Sequence, residues 1–326
     1  MELSHPFIRL PFRFDADRLA SELADIDDAA WLPHPSGMPG NSAVALVSRD
    51  GGDNDEFQGT MQPTGHLRRS PYMAQVMGSF GEILARSRLM RLSSKCEVQM
   101  HVDFNYHWYT RVRIHIPIVT DPRVTFCCAD ERVHMAPGEC WIFDSWRRHR
   151  VINASDSDRV HLVVDMSGSS RFWRMVRHVQ GSPDHAEEEF VAFDPGMQVS
   201  LSTERYNTAP VMAPGEVDAL VKELVVDFSS HPDNDPGLVR RYALLLGDFC
   251  MDWRQIWLQH GYEREGIASY AALIDGVQRQ LHPNPRALVT SSNQVGVNPI
   301  IVQRILRPAL APEHLDDYLH DVRANG

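Results

Sequence analysis

Between residues 88 and 166 the chain breaks into eight short β-rich runs: RLMRL, EVQMHVD, TRVRIHIPIV, RVTFCCA, RVHMA, ECWIFD, HRVIN and RVHLVVDM. Turn chemistry in TDP, APGE and NASDSD separates them. So many strands in about eighty residues exclude a parallel sheet with helical crossovers and point to antiparallel strands closed as a sandwich or jelly roll. The expected fold is α+β, with a sandwich or jelly roll over about 88–166, flanking N-terminal elements and a C-terminal helical lobe.

The flanks read differently. Residues 6–14 read as a strand, and Leu19, Leu23 and Ile26 follow at helical spacing. NSAVALVSRD reads as a strand and DGGDNDEFQGT as a polar loop. Pro71 opens a helix expected to carry Val76, Phe80, Ile83 and Leu84 along one stripe. After Met166 the period returns to about 3.6. One helix carries Val217, Leu220, Val221 and Leu224. Another opens at DPG (235–237), carries Tyr242, Phe249, Trp253 and Trp257 as packing residues, and stops near Gly261. Further helix is expected over 267–280, 298–306 and 312–323, and the acidic run HAEEEF at 185–190 as a solvated face. With 326 residues the chain is at the upper limit of one core. The expected division is a β-rich domain at 1–166, expected to carry any active site, and a mainly helical lobe at 167–326.

Composition narrows the function classes. A formal charge of −11 disfavours a nucleic-acid surface, although a local arginine cluster could still take an anionic substrate. The five cysteines show no CxxC spacing and fit reduced thiols in a cytoplasmic protein. No basic-then-apolar leader and no apolar run long enough for a bilayer are seen, so no membrane partner is expected.

The stretch HVDFNYHWYTRVRIHIPIV, residues 101–119, carries polar groups that are costly to bury. Strand side chains two apart share a face, so His101 and Asp103 offer an imidazole and a carboxylate to one point. A third ligand has to come from a distant strand, and His149, after WIFDSWRR, is the candidate. Two histidines and one carboxylate with open positions is the arrangement of non-heme Fe(II) oxygenases. Arg111, Arg113 and His115 alternate with Val112, Ile114 and Ile116, and Arg159 and His161 alternate with Val160 and Leu162. Two such strands make a pocket for an anion beside a metal, because an arginine fork binds a carboxylate in two places. Among these, Arg111 reads as a solvated strand end, His134 as structural, and His161 as either a satisfied core histidine or an outer partner of the site. Asp144 is weighed as a hydrogen-bond partner of a ligand histidine.

From HVD through RVRIHIPI, and then MAPGECWIFDSWRRHRVINASDSDRVHLVVD, the sequence resembles the aspartyl/asparaginyl β-hydroxylase family of Fe(II)/2-oxoglutarate dioxygenases, and within it the bacterial free-proline hydroxylases. The resemblance covers about 70–166. It implies a double-stranded β-helix (a cupin-like jelly roll), Fe(II) held by His101, Asp103 and His149, the distal carboxylate of 2-oxoglutarate held by Arg159, His115 helping to hold 2-oxoglutarate, and Arg113 facing a substrate carboxylate. It further implies O2 as cosubstrate, succinate and CO2 as coproducts, and ascorbate as a support of activity. The animal peptide hydroxylases lack the acidic ligand, so Asp103 places the chain with the small-molecule branch. The expected function is hydroxylation of an unactivated C–H of an amino acid or amino-acid-derived small molecule bearing a carboxylate. Left open are a hydroxylase of a protein or lipid-linked group and a non-catalytic cupin-like metal- or ligand-binding protein; a zinc hydrolase is disfavoured, because no carboxylate is placed by motif as a general base. The segment FNYHWY, with His107 and Trp108, has no assigned role, and the helical lobe could cap the site or build a homodimer.

Overall fold

The computed structural model describes residues 3–181 and 187–315. Two compact units are present, one drawn from Met1–Val102 and Thr110–Asn207, the other from Asp103–Tyr109 and Thr208–Gly326. The strands in chain order are β1 (Phe7–Phe14), β2 (Leu32–Pro33), β3 (Asn41–Arg49), β4 (Met61–Pro63), β5 (Ser87–Leu92), β6 (Glu97–His101) and β7 (Val112–Val119). They continue with β8 (Val124–Cys128), β9 (Glu131–Val133), β10 (Glu139–Phe143), β11 (His149–Asn153), β12 (Arg159–Met166) and β13 (Glu189–Val191). The helices used below are α1 (Ala16–Ala24), α2 (Gly65–Arg68), α3 (Pro71–Ser79), α4 (Tyr106–Thr110), α5 (Ser170–Gly181), α6 (Pro214–Ser229), α7 (Pro236–His260) and α8 (Ile267–Gln280).

All eight expected strands of 88–166 form, and they close as the expected jelly roll. A nine-stranded sheet runs β13-β1-β10-β7-β12-β5-β3-β2, with β4 on β3, and a four-stranded sheet runs β6-β11-β8-β9. Alternation explains how the larger sheet is buried on both sides. Ile114, Ile116, Leu162 and Val164 point outward into a core shared with Leu19 of α1, Met73 and Val76 of α3, and Phe172 and Val176 of α5. The alternate residues of β7 and β12 point inward: Arg113 pairs across with Asp165, His115 with Val163, and His161 with Pro117. Between the sheets a smaller apolar cluster of Phe7, Leu92, Val124, Phe126, Phe143 and Val151 fills part of the roll.

The N-terminal elements brace the outer face. Asp15 caps α1 by accepting from Arg18 N at 3.0 Å. From the same helix, buried Glu22 accepts from Tyr72 N at 2.7 Å and Met73 N at 2.9 Å, which satisfies the open first turn of α3.

Three expectations about the flanks need correction. The helix opened by Pro71 ends at Ser79, because the chain reverses at Gly81 with φ +61°; Leu84 then makes an isolated antiparallel bridge to Met166 and Ile83 is exposed. The first unit runs past 166 to Asn207, because amphipathic α5 buries Phe172, Val176 and Val179 on the sheet and β13 adds beside β1. Arg111 is no solvated strand end: it is buried and grips Glu204 with two bonds, Nε to Oε1 at 2.8 Å and Nη2 to Oε2 at 2.7 Å.

In the helical unit α6, α7 and α8 form where their periodicity places them, and α7 is capped at Gly261 with φ +50°. The helix expected over 298–306 is α-helical at Val297–Ile300 and π-helical at Ile301–Leu306. Of the element expected over 312–323, Pro312–His314 form a 3-10 turn, and 316–323 lie outside the described residues. Residues 187–190 of the acidic run are exposed, whereas 185 and 186 lie outside the described residues. The FNYHWY segment makes α4, and its packing is with this unit: Tyr109 donates to Glu223 at 2.5 Å while the Arg304 guanidinium lies 3.6 Å over its ring. Among the described residues no helix is long and apolar enough to cross a membrane.

Candidate metal centre and its pocket

The roll brings the two histidines together by strand register. β6 and β11 pair antiparallel with His101 directly opposite His149, and their rings lie 4.1 Å apart between centroids. Asp103 follows two residues on, and one ligand atom from each of His101, Asp103 and His149 lies within 4.8 Å of the others. Strand alternation is not what aims the carboxylate, as the sequence pattern suggested. β6 ends at His101, and Asp103 reaches the cluster from the segment beyond it.

Both imidazoles are fixed in the tautomer that a metal needs. His101 Nδ1 lies 2.8 Å from Gln99 O, and His149 Nδ1 lies 2.9 Å from Arg147 O. A carbonyl only accepts, so each Nδ1 donates its proton there, and Nε2 is the nitrogen each ring can offer a metal. Backbone carbonyls therefore take the outer-partner role considered for Asp144. Buried Asp144 instead shapes the turn that carries His149: it accepts from Trp146 N at 3.0 Å, Leu3 N at 2.9 Å and Arg147 Nε at 3.0 Å. His134 is held elsewhere, with Nδ1 3.0 Å from Val124 O.

From the cluster a series of rings leads into the roll. Phe143 lies 5.0 Å from His149 and 5.1 Å from His115. His161 lies 5.8 Å from His115 and stacks on Phe126 at 5.2 Å. The series ends at Arg159, whose guanidinium lies 5.2 Å over the same Phe126 ring. Arg159 is 4 % exposed, and its hydrogen bond within the protein is Nη1 to Met90 O at 3.2 Å. Among the described residues no carboxylate pairs with it. Burial alone pulls this guanidinium down to about 9. A buried cation against an aromatic ring, with no carboxylate beside it among the described residues, suits an anion.

Arg113, on the same inward face, donates from Nε to Asp165 Oδ1 at 3.0 Å. The sequence reading missed a neighbouring pair: buried Arg86 and Arg88 share the carboxylate of Asp55, at 2.6 Å and 2.5 Å, reached from the 50–60 loop. The signal was the alternation in ARSRL, but its partner lies in a loop without periodicity.

Burial, followed by Arg113 and Arg159, holds His115 well below its ordinary 6.5; burial, followed by Arg159 and His115, does the same for His161. The unfolded chain takes up protons on these rings below about pH 6.5 that the folded chain refuses. Stability present above that pH is then lost as pH falls, by up to about 1.4 kcal/mol per pH unit for each ring. The urea midpoint of the metal-free protein is expected to drop between pH 7 and pH 5.5; a rising midpoint would show the rings charged in the fold.

Residues 55–168 match the aspartyl/asparaginyl beta-hydroxylase family. The chain is 26 % identical over 139 residues to an L-proline cis-3-hydroxylase of Streptomyces sp, which covers 40 % of this chain and 48 % of that protein. It is 23 % identical over 176 residues to the L-proline cis-4-hydroxylase of Rhizobium meliloti, covering 52 % and 63 %. The matched regions thus span from about half to under two thirds of these relatives. An oxidoreductase of the 2OG-Fe(II) oxygenase family from Burkholderia pseudomallei is a weak structural likeness, at 15 % identity over 48 % of this chain and 80 % of that one, with TM-score 0.35. Over the stretch that carries the roll, the metal cluster and Arg159, the chain therefore matches the aspartyl/asparaginyl β-hydroxylase family and is similar to bacterial free-proline hydroxylases, as its motifs lead one to expect.

Proposed function

We propose that this chain is an Fe(II)/2-oxoglutarate-dependent dioxygenase that hydroxylates an unactivated C–H of an amino acid or amino-acid-derived small molecule. The observation that carries the reading is Arg159: a buried cation without a carboxylate partner among the described residues, turned toward Phe126 of the sheet that holds the His101 and His149 strands. A small dianion that chelates a metal at one end and meets a guanidinium at the other fits that arrangement.

His101, Asp103 and His149 fit a ferrous ion: two neutral nitrogens with fixed tautomers and one carboxylate leave coordination positions for exogenous ligands. When bound, iron would provide the site at which O2, the oxidant, reacts, with one oxygen atom going to the keto acid, which leaves as succinate and CO2, and the other to the substrate C–H. The protein's own groups have other tasks. Arg159 holds the distal carboxylate and His115 lies along the same pocket wall. Phe126 and Phe143 keep water from that wall, which strengthens every charge interaction along it. Arg113, steadied through Nε by Asp165, is the residue we assign to the substrate carboxylate. Orientation then selects the C–H that reacts.

The test is succinate formation from 2-oxoglutarate under air with Fe(II), with ascorbate expected to sustain turnover, across a panel of free amino acids. Succinate above the metal-free control, rising with one member of the panel, is the expected result. A metal-loaded protein that binds no 2-oxoglutarate would point to the non-catalytic cupin-like alternative.

A further inference from the structure

We propose that His161 is a second anchor of the keto acid's distal carboxylate, donating a hydrogen bond to the anion that Arg159 pairs with. The inference rests on the oxygenase reading and adds to it a residue for which the sequence offered no settled role.

His161 is fully buried, and neither ring nitrogen finds a hydrogen-bond partner among the described residues. Nothing among the described residues satisfies the ring, which argues against a satisfied core histidine. It stands two residues from Arg159 on β12, so both side chains leave the strand on its inward face. Both also lie against one ring: the His161 imidazole is stacked on Phe126 at 5.2 Å and 22°, and the Arg159 guanidinium is 5.2 Å from the same centroid. His115, 5.8 Å away, likewise has two buried nitrogens without partners among the described residues. Around Phe126 there thus lie a cation with no carboxylate and two imidazoles with no hydrogen-bond partner among the described residues.

Such an arrangement costs stability unless something fills it, because a buried donor without a partner bears its whole desolvation penalty. A leucine would stack on Phe126 without that cost. Burial keeps the ring neutral, so it carries one N–H. A carboxylate has about four lone-pair sites, more than one arginine fork occupies, and a hydrogen bond to an ionised acceptor is stronger than a neutral one. The chemistry that answers both Arg159 and His161 is a terminal carboxylate.

The experiment measures binding of 2-oxoglutarate, and of 2-oxovalerate, which lacks the distal carboxylate, to Mn(II)-loaded protein under nitrogen. Wild type is compared with His161→Leu and His161→Gln, alongside the thermal midpoints of the unliganded proteins. The inference expects His161→Leu to bind 2-oxoglutarate about 10- to 100-fold more weakly. It expects 2-oxovalerate binding to stay within about twofold, His161→Gln to recover part of the loss, and the unliganded His161→Leu protein to melt no lower than wild type. Equal loss for both keto acids, or a lower midpoint with unchanged 2-oxoglutarate affinity, would make His161 a packing residue and overturn the inference. If His161→Leu does not fold, His161→Gln with wild-type affinity overturns it and a loss specific to 2-oxoglutarate supports it. A wild type that binds no 2-oxoglutarate overturns the oxygenase reading itself, a result distinct from a wild type that binds and a variant that binds equally well.

Discussion

Arg159→Gln is expected to weaken 2-oxoglutarate binding by at least about a hundredfold while Mn(II) affinity stays within about twofold of wild type. The magnitude follows from burial. Removing one partner of a desolvated ion pair costs about 3–5 kcal/mol, because the other charge is left in a low-dielectric site. Each 1.4 kcal/mol is tenfold in affinity. The guanidinium is 4 % exposed with Met90 O as its hydrogen-bonding acceptor in the protein, so no neighbouring cation on that bond can take over. Metal affinity is spared because the ligands sit at the other end of the ring series, on β6, β11 and the segment after β6. Calorimetric titration of Mn(II)-loaded protein with 2-oxoglutarate checks this, and unchanged affinity would remove Arg159 from the assigned role.

The second large effect is at His149. His149→Ala is expected to abolish Fe(II) binding in an anaerobic titration, a loss greater than the 10- to 100-fold typical of removing an outer partner. His149 is buried, faces His101 across the β6–β11 ladder, and is aimed by the Arg147 carbonyl, so no mobile side chain replaces it. His134 does not substitute, because its Nδ1 is engaged with Val124 O on a different strand. Iron affinity equal to wild type would mean that the metal, if any, is bound elsewhere.

The roll and most of its site were legible because both follow from the two-residue strand period. Eight alternating runs with turn residues between them admit few arrangements, and Arg113, His115, Arg159 and His161 fall on one face once β7 and β12 pair. His101 and His149 were legible as types at distant positions, and their register across β6 and β11 makes them neighbours. What local periodicity could not reveal depends on contacts far apart in the chain. Arg111 reads as a strand end until Glu204, 93 residues away, is seen to grip it. The Arg86 and Arg88 pair has its carboxylate in a loop. The helix from Pro71 looked longer because Phe80 and Leu84 keep the helical spacing, although the chain turns at Gly81. The boundary at 166 was drawn where the period changed, yet α5 is a helix of the first unit, held there by Phe172 and Val176. Asp103 does come near the two histidines, but not by strand alternation, since the strand stops before it. Whether His161 was satisfied or left waiting is a question of partners, which no pattern of residue types answers.

The most direct measurement is a crystal structure of the protein grown anaerobically with Mn(II) and 2-oxoglutarate. Metal density bonded to His101, Asp103 and His149, with the keto acid chelated to it and its far carboxylate on Arg159, is the predicted result. Metal bound by other side chains, or a metal at the cluster with no anion against Arg159, would contradict it.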